Sequence, residues 1–187
     1  VRSHWLLDLR ATPLARAVVD DARLADWARR GVATPDHVIR TKAHPLVLPA
    51  APTAGDAAAL EAWSAALAPA LEAYAADYRA CFERQNARVG GIKKPLDPLP
   101  RVVAIPGLGL VGIGKAAADA AVTADIAETW ATTLLAAESI GRFEPVGEND
   151  TFDMEYWSLE QAKLGKAAEK PLALSLIHIS EPTRRTP

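Results

Sequence analysis

The chain reads as an α/β protein: a small, mostly parallel sheet of about three strands, flanked by long helices and followed by a C-terminal docking segment. Three observations predict this. Strand-like and helical stretches alternate as strand, helix, strand, helix, strand, helix, the order of a parallel sheet joined by right-handed crossovers. One long stretch repeats apolar residues at steps of three and four. A short apolar run, Val102 to Ile105, passes directly into a glycine-rich turn.

The elements follow in order. His4 to Arg10 places Trp5, Leu7 and Leu9 on one face at period two, a strand. Thr12-Pro13 sets a hydroxyl before a proline at the first helical position and opens a helix to about Arg30. Leu14, Val18, Leu24 and Trp27 form its buried stripe, and Gly31 its stop. Thr34-Pro35-Asp36-His37 reads as a turn and Val38 to Lys42 as a short strand or extended segment. His44 to Pro49, bracketed by prolines, is an edge strand or irregular. Beyond the Pro/Ala/Gly connector at 50–55, a helix runs from about Asp56 to Ala87, with Leu60, Trp63, Leu67, Leu71, Tyr74, Tyr78 and Phe82 as its stripe. Pro69 is expected to kink or divide it, and Gly90-Gly91 ends it. The strand at Val102–Ile105 leads through Gly107–Gly114 into a helix from about Lys115 to Ile140. A loop then precedes the amphipathic segment Phe152 to Leu164.

Composition bounds the function. Half of the 187 residues are apolar and 24% charged, with a formal net charge of −2. That balance gives no electrostatic footprint for nucleic acid or an anionic membrane. No apolar run approaches the length of a membrane helix, so a cytoplasmic protein is expected. The one cysteine, Cys81, excludes an internal disulfide and any cysteine-based zinc site, and its place on an apolar helix side reads as a buried thiol. His4 and His44 lack a second ligand at short spacing, so no metal is expected within this chain. Glu144, Glu148, Asp150, Asp153 and Glu155 read as a solvated loop and cap. Tyr156 and Trp157 read as anchors for the C-terminal segment.

The candidate site is the glycine run. Gly107, Gly109 and Gly112 fit G-x-G-x-x-G, while Gly109 to Gly114 with Lys115 fit most of G-x-x-x-x-G-K. The first pattern lacks a ribose-binding acid on a following strand, since Asp119, Asp125 and Glu128 fall within the helix. The second fails at Ala116, where a magnesium-holding hydroxyl belongs. Two readings stay open: an anion-binding turn of Gly107, Gly109, Gly112, Gly114 and Lys115 at a helix N-terminus, or a tight turn whose glycines serve packing alone. Arg40 and Lys42, on one side of a strand, are candidate phosphate ligands beside it, or solvated edge charges.

Four stretches occur in order: Thr34-Pro-Asp-His-Val-Ile-Arg-Thr-Lys42, Leu96-Asp-Pro-Leu-Pro-Arg-Val-Val103, Pro106-Gly-Leu-Gly109, and Phe152-Asp-Met-Glu-Tyr-Trp-Ser-Leu-Glu-Gln-Ala-Lys-Leu164. This series resembles the bifunctional class II aldolase/short-chain dehydrogenase family, which includes rhamnulose-1-phosphate aldolase/lactaldehyde dehydrogenase proteins. The resemblance covers nearly all of residues 1–173. It implies a fragment of a carbohydrate-degrading enzyme, with residues 1–150 as its α/β middle region and 151–173 as an amphipathic linker toward a dehydrogenase domain. A zinc-dependent aldolase domain would precede Val1. The NAD-binding glycine fingerprint and Tyr-x-x-x-Lys pair would follow Ala173; Tyr156 does not fit as that tyrosine, since Glu160 stands four residues later in place of lysine. The implied partners are those flanking domains and a small phosphorylated sugar; the alternatives to this reading are a phosphate- or nucleotide-binding module and a structural spacer that forms a homo-oligomer. From Leu174 the text resembles a translated transposase-type sequencing adapter, so residues 174–187 are read as an adapter-derived artefact. The implied parent reaction is retro-aldol cleavage of a phosphorylated deoxyketose, then NAD-dependent oxidation of the hydroxyaldehyde, with no turnover expected of this fragment alone.

Overall fold

The computed structural model describes residues 4–167. The adapter-like stretch 174–187 and the last part of the 151–173 segment lie outside the described residues. The architecture is α/β, with helices on both faces of a small sheet, as the alternation predicts. Its strands are β1 (Leu6–Arg10), β2 (Leu46–Val47), β3 (Val102–Ile105) and β4 (Gly109–Gly114), in spatial order β1-β4-β3-β2.

The strand directions differ from the expected mostly parallel sheet. Only β2 and β3 run parallel; β1–β4 and β3–β4 are antiparallel. The cause lies in the glycine run. The chain turns back at once after Ile105, closed by the Leu108 N–H donating to the Ile105 carbonyl at 3.0 Å. Gly107 takes φ +81° there, a conformation open to glycine at no steric cost. Gly109 to Gly114 is therefore a strand of a hairpin. The expected strand-to-helix turn is absent.

The helices are α1 (Pro13–Val19), α2 (Leu24–Arg30), α3 (Pro35–Thr41), α4 (Ala57–Arg88), α5 (Ala117–Ile140), α6 (Glu148–Glu155) and α7 (Ser158–Ala167). Thr12 caps α1 as read, its hydroxyl accepting from the Ala15 N–H. The single helix expected to Arg30 is two, because the Asp21 carboxylate accepts from the Arg23 N–H and holds a break before α2. Another correction falls at Val38–Lys42. Thr34 caps a helix by accepting from the His37 N–H, and Pro35 follows in the first turn, so the expected strand is α3. Pro69 neither ends nor divides α4, which runs unbroken for 32 residues. Gly90 and Gly91, both at positive φ, follow its end.

Two apolar clusters sandwich the sheet. On one face Val102, Ala104 and Leu110 pack with Val18, Trp27, Trp130 and Leu134 from α1, α2 and α5. Gly112 and Gly114 let α5 approach β4: a Cβ on Gly112 would lie 2.5 Å from the Ala120 carbonyl oxygen, and one on Gly114 2.3 Å from the Ala120 nitrogen. On the other face Leu46, Val103, Ile105 and Val111 pack against Trp63, Leu67, Ala70 and Tyr74 of α4. Two hydrogen bonds fix that helix: Trp63 Nε1 donates to the Pro49 carbonyl and the Tyr74 hydroxyl to the His44 carbonyl.

Candidate functional site

Four side chains that are far apart in sequence meet between α3, α4 and α6. Lys42, just beyond α3, is the one described non-glycine residue with positive φ (70°), and this turn points its side chain inward. Its Nζ lies 3.4 Å from Glu155 Oε1 and 3.9 Å from the centre of the Tyr78 ring. Both charged side chains are only 8% exposed. The Tyr78 hydroxyl donates to Glu155 Oε1 at 2.9 Å and shares a 2.9 Å hydrogen bond with the Tyr156 hydroxyl.

The sequence forms this cluster by ordinary local means. Tyr78 continues the stripe of α4. Glu155 and Tyr156 end α6, whose Phe152 and Tyr156 rings stack at 4.5 Å and meet Phe82 of α4. Lys93 Nζ donates to the Tyr156 carbonyl at 2.9 Å. Asp97 holds Arg101 at 2.7 Å, and both act electrostatically on Lys42. Farther along α4, Gln85 bonds Glu148 and Asn149 of α6, and Arg88 pairs with Asp153.

Burial dominates the electrostatics. It pulls the Lys42 ammonium below the usual lysine range, against the attraction of Glu155. It raises Glu155 above the usual carboxylate range, against Lys42 and the Tyr78 hydrogen bond. Each charge is the other's compensation, since an unpaired buried ion is strongly unfavourable. Burial, with Glu148 nearby, pushes the half-buried Cys81 thiol up to about 11, in keeping with an inert cysteine. His37 and His44 are both held below the usual imidazole range, chiefly by burial.

The structure separates the residues singled out from sequence. Gly107 sits in the hairpin turn and donates its N–H to Asp20 Oδ1 at 2.7 Å. Gly109, Gly112 and Gly114 lie within β4 against β1 and α5, with no room for even a Cβ. Such close packing leaves no dinucleotide cradle along β4. Lys115 is exposed, its Nζ 5.8 Å from the Trp5 ring that Arg101 also covers at 4.8 Å. Arg40 is half-buried on α3 and takes no part in the Lys42 network. Among the described residues, no group of three or more His, Cys, Asp or Glu side chains is placed to hold a metal.

Sequence reasoning missed Glu155, Tyr78, Asp97 and Arg101 as parts of one cluster. Glu155 in particular is buried, not part of a solvated acidic loop. Tyr156 docks as expected, whereas Trp157 stays 47% exposed. The available signal was the set of motif stretches: 34–42, 96–103 and 152–164 each contribute a charged group to this place. A void of about 10 Å³ beside Thr41 and Trp130 is no larger than one water needs. Chemically the cluster holds charge and locks three helices together.

The family model described as aldolase class II, second domain, matches residues 1–164. A Bacillus subtilis (strain 168) protein named "Uncharacterized oxidoreductase YuxG" is 31% identical over 134 residues, which is 72% of this chain and 19% of that protein. The match therefore spans about a fifth of the relative's length. No solved structure matches the chain. No described helix is long and apolar enough to cross a membrane.

Proposed function

The chain belongs to the aldolase class II second-domain family, and on that premise we propose that it is a non-catalytic joining module of a longer carbohydrate-metabolising enzyme with aldolase and oxidoreductase activities. One observation carries the reading. The charged residues of three separate motif stretches converge on Lys42–Glu155–Tyr78–Tyr156, a closed network that holds α6 against α3 and α4. A module whose distinctive residues fix its own C-terminal helices suits a part that holds neighbouring domains in register. The relative's size and its description as an oxidoreductase support a longer parent.

The finer reading assigns the parent retro-aldol cleavage of a phosphorylated deoxyketose such as rhamnulose 1-phosphate, followed by oxidation of the released hydroxyaldehyde. Zinc would polarise the carbonyl and NAD would accept the hydride, both held by domains flanking this one in a cytoplasmic enzyme. Purified 187-residue chain is expected to show neither aldolase turnover nor NAD reduction, while a full-length homologue shows both. Measurable turnover by the chain alone would overturn the joining role.

A second reading rests on two cations that each lie against the Trp5 ring. Lys115, exposed at the end of β4, and Arg101 would hold a phosphate between them. Titration with inorganic phosphate tests it, with binding expected to be lost in Lys115→Ala. Binding unchanged by that substitution removes the site.

A further inference from the structure

We propose that β1 is the pairing edge of a homodimer, in which two copies of this chain join antiparallel across a two-fold axis at Leu9 and merge two four-stranded sheets into one of eight strands. β1 ends the strand order, and among the described residues no strand pairs with its outer side. It is a regular five-residue strand, Leu-Leu-Asp-Leu-Arg, with no proline or bulge, and its charges, Asp8 and Arg10, are of opposite sign.

The side chains of β1 fall into two sets. Register with β4 puts Leu7 beside Ile113 and Leu9 beside Val111, on the sheet face that α4 covers as far as β4, and neither leucine joins the apolar cluster there. Leu7 is consequently 68% exposed and Leu9 48%. Asp8 and Arg10 lie on the opposite face, where Arg10 also reaches Asp125 of α5.

Charge complementarity selects both the occupant and the register. Antiparallel pairing about Leu9 sets Leu9 opposite Leu9 of the second copy and Leu7 diagonal to it. On the other face, each Asp8 then stands directly opposite Arg10 of the second copy, twice by symmetry, an arrangement cross-strand pairs favour. Pairing about Asp8 would instead put two aspartates face to face. Pairing about Leu7 would leave Asp8 opposite Leu6 and Arg10 opposite His4. Within one copy, Arg10 Nε lies 3.0 Å from Asp8 Oδ1 but is not aligned as a hydrogen bond, so Asp8 retains capacity for a second guanidinium. A two-fold contact of this kind is self-closing and stops at two.

Sedimentation equilibrium of the full 187-residue chain tests the proposal. The expected mass is twice 19.9 kDa. Leu9→Glu and Leu7→Glu, each at an exposed position, should give monomers with unchanged circular dichroism. In a Cys81→Ser background, Leu9→Cys should cross-link to itself under copper–phenanthroline oxidation. A mass of 19.9 kDa at the highest concentration reached would overturn the proposal and point to another part of a longer protein as the cover of this edge. A dimer that survives Leu9→Glu, or a Leu9→Cys variant whose introduced thiols fail to join, overturns it equally.

Discussion

At the scale of single residues, the Lys42–Glu155 pair governs how firmly α6 is held against α3 and α4. Glu155→Gln leaves the Lys42 ammonium buried without its counter-charge and should cost about 3–5 kcal/mol in chemical denaturation. Replacing both partners, Lys42→Met with Glu155→Leu, should recover most of that loss, because an apolar pair of similar volume needs no compensation. A double variant as unstable as the single one would refute this account. The single variant also has a signed pH dependence. Burial holds the folded lysine below its ordinary value of 10.5, so between those values the unfolded chain binds more protons and stability should rise with pH. None of this was legible residue by residue. Lys42 is one of two basic residues in a β-branched run, and Glu155 is one of five neighbouring acids. Only the fold tells which of each is buried.

Among the elements, the sequence announces helices better than strands. Thr12-Pro13 and Thr34-Pro35 are the same start signal, and both open helices. The second was overshadowed by Val38, Ile39 and Thr41, whose β-branching suggests a strand until packing against α5 and α6 overrides it. The glycine run misled differently. Its spacing fits phosphate-binding turns, yet Gly112 and Gly114 serve to seat α5 on the sheet. Gly112→Ala is therefore expected to destabilise by at least about 1–3 kcal/mol, the range of overpacked sites, because the added carbon meets backbone that cannot rotate away. Thermal melting checks this; an unchanged midpoint would mean that α5 is free to shift. Gly141→Ala, with nothing within 4 Å, is the matched control.

For the whole molecule, the α/β class and flanking helices were legible from alternation, while strand direction was not: apolar runs carry no arrow, and a three-residue turn decided it. Acid sensitivity is also a property of the whole. The Gly107 N–H lowers Asp20, the Phe143 N–H lowers Glu138, the Gln85 amide lowers Glu148, and burial lowers His37 and His44. For each group the folded value lies below the unfolded one, so its contribution is complete above the unfolded value and is lost as pH falls through the folded one. Melting temperature should thus decline first below the ordinary histidine value of 6.5, then more steeply below the carboxylate values of 3.8–4.5. A flat profile from pH 7 to 3 would contradict these assignments. The strand order has a consequence for the chain as it is made. β1 is made before its partner β4, which follows about a hundred residues later, with Leu6 opposite Gly114. At synthesis rates of roughly 5–20 residues per second, its leucines wait on the order of 5–20 seconds with both edges bare. The β3–β4 hairpin, with far shorter loops to close, forms ahead of it. Pulse-labelled amide exchange should find β1 protected last, which makes the first-made of the four described strands the final one to join.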